Sequence, residues 1–251
     1  MHMTVCKFPN GYRGRRKINL LMQEESAMAW MIWQTSRESD TNAVIAAMKQ
    51  QYLTMPMVLE AHAEDHRHMG LSNTAAEFLM MLPDVARYMM AEEVLASGRR
   101  LTELGACKAY FLGRCHGLRE EHLFMISLGK RGKLLAIELI DQGEDNRVRF
   151  PVQKIVKTAY MGDAHYIVIA HNHPSGDPAA SDADVVTTRK LLEECESLQI
   201  VVLDHLIVSG DEVVSMRIDG QMEQEFLAQA PKDKTLAKWP TTGDFTDPRL
   251  R

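Results

Sequence analysis

The stretch HYIVIAHNHPSGDPAASDAD, residues 165–184, decides how this chain is read. Its first nine residues have the apolar character of a buried strand, Pro174 and the turn Ser175-Gly176-Asp177-Pro178 end it, and Ser181 with Asp184 three residues on is a helix N-cap pattern. Residues two apart on a strand point the same way, so His171 and His173 present both imidazoles to one side. The returning helix carries Asp184 in its first turn. Two neutral imidazoles and a carboxylate make three protein ligands, which for zinc leaves a fourth position to water, the arrangement of catalytic rather than structural sites. Such an ion generates hydroxide near neutral pH and polarises a carbonyl. Taken singly, Ser181 with Asp184 is a cap and H-x-H is a strand end; together they specify a site. The two uses of Ser181 are compatible, because a hydroxyl that accepts from a backbone N–H still has a proton for a developing oxyanion.

Outward from this stretch the periodicity is that of strands and helices in alternation. HLFMISL (122–128) and KLLAIELI (133–140) bracket the turn Gly129-Lys130-Arg131-Gly132 as a hairpin, and a helix follows through Pro151 to Val156. A helix over about 182–198 leads to IVVLDHLIV (200–208), a strand buried on both faces. The order β-β-α-β-α-β implies a mixed α/β sheet flanked by helices. Between about 41 and 116 the pattern is helical. Thr41 or Asn42 opens an apolar run, Thr74-Ala75-Ala76-Glu77 reads as a capping box, Pro83 stands near a helix start and Gly98 at a helix end. Residues 1–35 hold a basic patch (Arg13, Arg15, Arg16, Lys17) and Trp30 and Trp33, with no module that accounts for them. Beyond about 230 the polar segment PKDKTLAKWPTTGDFTDPRLR reads as a mobile tail.

Composition narrows the classes of function. With 29 basic and 34 acidic side chains the chain has no global field that would draw it to phosphates, so nucleic acid stays open but unsupported. Cys6, Cys107, Cys115 and Cys195 are spread too widely for a zinc-thiolate site. No apolar run is long enough for a membrane span and no signal-peptide region opens the chain, which makes the cytoplasm the expected compartment. The 17 methionines read as adaptable core filling.

The spacing His171-x-His173, seven residues, Ser181-x-x-Asp184 resembles the motif of the JAMM (JAB/MPN) metallopeptidase class, and HNHPSGDP resembles its RadC branch in particular. The resemblance runs from about Ala106 to Gly220 and takes in VLDHLIV (202–208) and EVVSM (212–216). It implies a cytidine-deaminase-like α/β fold, one Zn2+ held by His171, His173 and Asp184, and hydrolysis of a peptide or isopeptide bond. It also implies an upstream glutamate as general base. REEHLFMISLG resembles the RadC stretch in which a Glu precedes the first strand, which selects Glu121; Gly129 stands where that branch has an Asp. Adjacent strand residues face opposite sides, so Glu120 and Glu121 cannot both reach the metal. In the implied reaction Ser181 and zinc hold the oxyanion while Glu121 moves the proton. The expected organisation is a helical region at 1–100, a RadC-like JAB/MPN domain at 101–229 and the tail at 230–251.

Other signals compete. His62, His66 and His68 in HAEDHRH lack the Glu directly after the first His that zincins need, since Ala63 stands there, and they read as a solvated helix face. Asp204-His205 matches the family's Asp-His pair, with a satisfied core histidine expected rather than a contact to the site. His165 reads as structural. A zinc deaminase would need H-x-E and P-C-x-x-C, which this chain does not have. Two departures from RadC relatives bear on DNA: LMMLPDVARYMMAEEVL (79–95) lacks the Gly-rich turn of a helix-hairpin-helix, and Pro151-Val152-Gln153 replaces the usual Pro-Arg. A nucleic-acid maintenance factor and a non-catalytic, metal-stabilised scaffold are the alternative functions. Among hydrolase substrates a ubiquitin-like tail, a linear peptide and a small amide all stay open.

Overall fold

The structure is a computed structural model, and it describes residues 41–52, 55–59, 61–143 and 150–218 together with Met222, Phe226, Leu236 and Trp239. The basic patch, Trp30 and Trp33 lie outside the described residues. The chain divides into two compact units, 1–86 and 87–251. Helices α1 (Thr41–Gln51), α2 (Met55–Leu59), α3 (Ala63–His68) and α4 (Asn73–Ala96) come first, and the division falls within α4.

In the first unit Val44, Met48, Val58, Leu71, Ala75, Ala76 and Leu79 form one apolar cluster. Helix α4 starts earlier than its sequence suggests: the Ser72 hydroxyl accepts from the Ala75 N–H at 3.3 Å, so Ser72 takes the cap role and Thr74 falls inside the helix. Pro83 is also interior rather than near a start. Its missing N–H and ring are tolerated there because a helix of 24 residues has many other bonds to hold it. Gly98, at φ +79°, follows the helix end as expected, donating to the Leu95 carbonyl. The HAEDHRH segment is not a solvated face throughout. His62 precedes a helix of only six residues, and His66 is fully buried, its Nε2–H donating to the Val58 carbonyl at 2.7 Å.

The second unit holds α5 (Leu104–Cys115) and then strands and helices in the expected order: β1 (His122–Leu128), β2 (Leu134–Gln142), α6 (Val152–Met161), β3 (Tyr166–Asn172), α7 (Asp182–Ser197) and β4 (Val201–Ser209). A short β5 (Glu212–Ser215) adds a strand beyond those read from the sequence. The sheet order is β2-β1-β3-β4-β5, with β3 and β4 parallel and the other neighbours antiparallel. This is the mixed α/β architecture of the JAB/MPN fold.

Both faces of the central strands are apolar, and the period of two divides them cleanly. Phe124, Ile126, Leu128, Val168 and Ala170 face a cluster that includes Tyr110 and Phe111 of α5. Leu123, Met125, Ile167 and Ile169 face another that includes Ile155 of α6 and Leu191 and Cys195 of α7. Each such buried aliphatic side chain contributes about 1.5–3 kcal/mol. Leu236 and Trp239, from the segment expected to be a mobile tail, are buried in the first of these clusters.

Register shifts interrupt the β1–β2 pairing twice and the β3–β4 pairing once, and the last of these bears on the site. Ile167 pairs with Val202 but Val168 pairs with Asp204, so Leu203 is an extra residue in β4. Val202 faces the α7 side, and so does Ile207 after the bulge, whereas an unbroken alternation would have sent Ile207 to the other face. His205 therefore lies on the α7 side, the side that His171 shares with Ile167 and Ile169. The methionines divide: Met48, Met125, Met216 and Met222 fill cores as expected, whereas Met80, Met81, Met89 and Met90 are exposed on α4.

Candidate metal centre

Three side chains meet at the C-terminal end of β3. The Nε2 atoms of His171 and His173 lie 2.8 Å apart, and Asp184 Oδ1 and Oδ2 stand 3.4 Å and 3.6 Å from them. His171, His173 and Asp184 are the cluster able to hold a metal ion among the described residues. Strand alternation supplies the two imidazoles, and the backbone N–H of His173 donates to the Val208 carbonyl, which carries the ladder one residue past β3. Gly176, at φ +88°, makes the reversal that a side chain would strain, and its N–H donates to the His173 carbonyl.

Helix α7 brings the carboxylate. Ser181 is its N-cap: the hydroxyl accepts from the Asp184 N–H at 3.2 Å, and Asp184 Oδ2 accepts from the Ser181 N–H at 2.8 Å. The Ser181 hydroxyl proton goes to the same Oδ2 at 2.6 Å. It is thus engaged with the metal-facing carboxylate, and reaching an oxyanion requires it to leave that oxygen.

The tautomers follow from the partners. His173 Nδ1 lies 2.8 Å from the Asp177 carbonyl, which only accepts, so Nδ1 carries the hydrogen and Nε2 keeps a lone pair. His171 Nδ1 meets His205 Nε2 at 2.7 Å, His205 Nδ1 meets Thr188 Oγ1 at 2.6 Å, and the Thr188 hydroxyl donates to the Met216 sulfur at 3.9 Å. A thioether accepts only, so each donor points along this chain toward Met216 and His171 Nε2 is left bare. Two lone pairs at 2.8 Å, with a carboxylate beside them, suit a metal ion, and a proton shared between the rings relieves the same contact. A tetrahedral zinc with donors at about 2.0–2.1 Å spaces them about 3.3 Å apart. The separations of 2.8, 3.4 and 3.6 Å bracket that value, so the residues fit a small divalent ion.

A family model described as the RadC-like JAB domain matches residues 101–221. A UPF0758 protein of Desulforamulus reducens is 30% identical over 186 residues, covering 68% of this chain and 81% of its own. This chain belongs to the RadC-like JAB domain (UPF0758) family. The UPF0758 protein YfjY of Escherichia coli K12 is 30% identical over 147 residues, 56% of this chain and 92% of that relative. A UPF0758 protein of Chlorobium chlorochromatii is 36% identical over 122 residues, and there the match spans about half of each chain, 49% and 55%.

The remaining features of this RadC-like site separate into those the sequence marked and those it did not. Glu121 and His173 line one cleft of about 540 Å³, together with Cys115, Leu118, Arg119 and Asn172. Glu120 is turned elsewhere: its Oε2 accepts from the Gln142 amide at 2.9 Å. His205, expected as a satisfied core histidine, is buried but bonds the candidate ligand His171 directly. His165 keeps the structural role expected of it, its N–H donating to the Leu128 carbonyl. Burial pushes the Cys115 thiol up to about 12 against the pull of Arg114 and Arg87, which disfavours the thiolate. No helix among the described residues is long and apolar enough to cross a membrane.

Charge on the protein groups of the site is set by burial and by Asp184. Burial lowers His171 to about 4 and His205 well below its ordinary value of 6.5. Burial alone would raise Asp184, but His173, His171 and two bonds from Ser181 outweigh it and hold the carboxyl below the usual range. The Asp184 carboxylate in turn raises His173, against desolvation and with help from the Asp177 carbonyl and the Glu121 charge. At 3.6 Å this contact is longer than a hydrogen bond, and it is an ion pair only when His173 takes up a proton.

Opposed pH dependences result. As pH falls below 6.5 the unfolded chain protonates His171 and His205 before the folded chain does, so stability drops between 6.5 and about 4, by on the order of 3 kcal/mol for His171 alone. His173 stabilises below 6.5 and loses that contribution as pH rises through its raised value, while Asp184 adds no slope above its ordinary range. Two fully desolvated rings outweigh one partly exposed ring together with the buried Asp204. Burial raises the Asp204 carboxyl to about 6, so it gains stability as pH falls through that value. Chelator-treated protein is expected to unfold at lower urea concentration at about pH 5 than at about pH 7. A midpoint that rises on acidification contradicts this assignment of neutral buried rings.

Proposed function

We propose that this RadC-like chain is a zinc-dependent hydrolase of peptide or isopeptide bonds, with Glu121 as general base. The observation that carries the reading is the convergence of His171, His173 and Asp184 beside a cleft that Glu121 and His173 line together. Zinc, when bound by these three residues, would acidify the attacking water and polarise the scissile carbonyl.

The chain's own groups account for the remaining steps. The Glu121 carboxylate takes the proton from the attacking water and returns it to the leaving nitrogen as the C–N bond breaks. Ser181 supplies a hydroxyl proton to the oxyanion by giving up its bond to Asp184. The neutral thiol of Cys115 leaves water as the nucleophile that the site favours. The cleft fits a short length of extended peptide, so a peptide or protein is the proposed substrate.

Metal analysis with a quenched-fluorescent peptide mixture and an isopeptide-linked substrate tests this. The full chain is expected to carry about one equivalent of zinc, to lose turnover on chelation and to regain it with Zn2+. Turnover undiminished after the metal has been removed would overturn the reading, and zinc bound with no turnover would favour the scaffold alternative.

A further inference from the structure

We propose that Asn172 is a positioning residue for Glu121, holding the backbone on both sides of that glutamate through its side-chain carboxamide. The pairing of β1 with β3 stops at Leu123 and His171, yet β3 runs one residue further, with Asn172 paired to Val208 of β4. Strand alternation turns Asn172 to the face that Val168 and Ala170 occupy, opposite to His171 and His173. There its Nδ2 donates to the Glu120 carbonyl at 2.9 Å and its Oδ1 accepts from the His122 N–H at 2.8 Å.

The side chain thus replaces the ladder bonds where main-chain pairing has ended. The orientation of its amide is fixed, since the Glu120 carbonyl only accepts and the His122 N–H only donates. From the other side the Gly143 N–H donates to the Glu121 carbonyl at 2.8 Å. The backbone of Glu121 and of both its neighbours is therefore tied. Asn172 is itself only 3% exposed and is anchored in the sheet, so the clamp rests on a rigid element.

The consequence concerns geometry between two groups. His171 and His173 flank Asn172, so one three-residue run directs two candidate ligands to one face and fixes the base's backbone on the other. A shorter side chain cannot bridge Glu120 and His122. Aspartate has the right size but cannot donate to the Glu120 carbonyl, and it places negative charge against it.

This inference rests on the reading of Glu121 as the base, and its test separates the two. Zinc-loaded full-length wild type, Asn172→Ala and Asn172→Asp are compared for zinc content, for kcat and KM on the quenched-fluorescent peptide mixture, and by crystal structure. Both variants are expected to keep their zinc and a KM within about twofold of wild type while kcat falls about 100-fold, with Glu121 displaced by about 1 Å or more. Asn172→Asp, nearly equal in volume, answers the objection that a cavity caused the loss. Wild-type kcat in the variants, or Glu121 superposing on its wild-type position, overturns the clamp. If the wild type cleaves nothing, the hydrolase reading falls, and the position of Glu121 in the structures still decides whether Asn172 holds it.

Discussion

Replacement of Glu121 by glutamine is expected to leave the metal in place and to lower kcat by about 10²–10⁴-fold, the range that a positioned general base contributes. Glutamine matches glutamate in shape and keeps the bonds of its main chain, including that from the Gly143 N–H, so the cleft should retain its form. What it loses is the ability to take a proton. Glu121 is not one of the three atoms that meet at the candidate metal centre, so zinc content should be unchanged. Unchanged KM with lowered kcat would mark a loss confined to the transition state. A variant that turns over as fast as wild type sinks the assignment of the base, whereas one that loses zinc as well shows that Glu121 belongs to the ligand set.

How much of this was legible before any coordinates depends on which physical signal each feature left. Strands buried on both faces leave continuous apolar runs, which is why HLFMISL and IVVLDHLIV were readable as strands and the mixed sheet followed. The imidazole pair follows from the period of two alone. His205 could not be placed that way. Its contact with His171 depends on the extra residue at Leu203, which reverses the phase of β4, and a bulge inside an apolar run carries no mark in composition.

Helix boundaries were read less well than helices, because competing caps a few residues apart differ little in energy. Ser72 rather than Thr74 starts α4, and Pro83 is carried inside it. His66 differs for another reason: the charged neighbours in HAEDHRH suggest solvent, but the ring is buried and bonds the Val58 carbonyl, a contact that composition does not mark. Asn172, an asparagine between two histidines, looks in the sequence like a spacer. Its role appears only when β1, distant in sequence, is brought alongside.

The second large effect concerns Asp184, whose two jobs can be separated by the choice of substitution. Oδ2 accepts from the Ser181 N–H and hydroxyl and completes the capping box, while Oδ1 faces His171 Nε2. Asp184→Asn can keep an oxygen on the Ser181 side, and it then presents an NH2 group to the point where the two imidazole lone pairs meet. Donor hydrogens there repel a cation, and the negative charge that offsets it is gone. Loss of an outer partner of a metal ligand already costs about 10–100-fold in affinity, so loss of a ligand should exceed about 100-fold. Asp184→Ala should lose zinc to the same degree and, in addition, the N3 half of the cap, worth about 1 kcal/mol. In the metal-free state the order of thermal stability should therefore be wild type, then Asn, then Ala, with the relief of carboxylate desolvation bringing Asn closer to wild type. Isothermal titration with Zn2+ and thermal unfolding of chelated protein read the two effects independently. An Asn variant that binds zinc with wild-type affinity shows that the carboxylate serves the helix alone, and a three-ligand site is then the wrong description of this cluster.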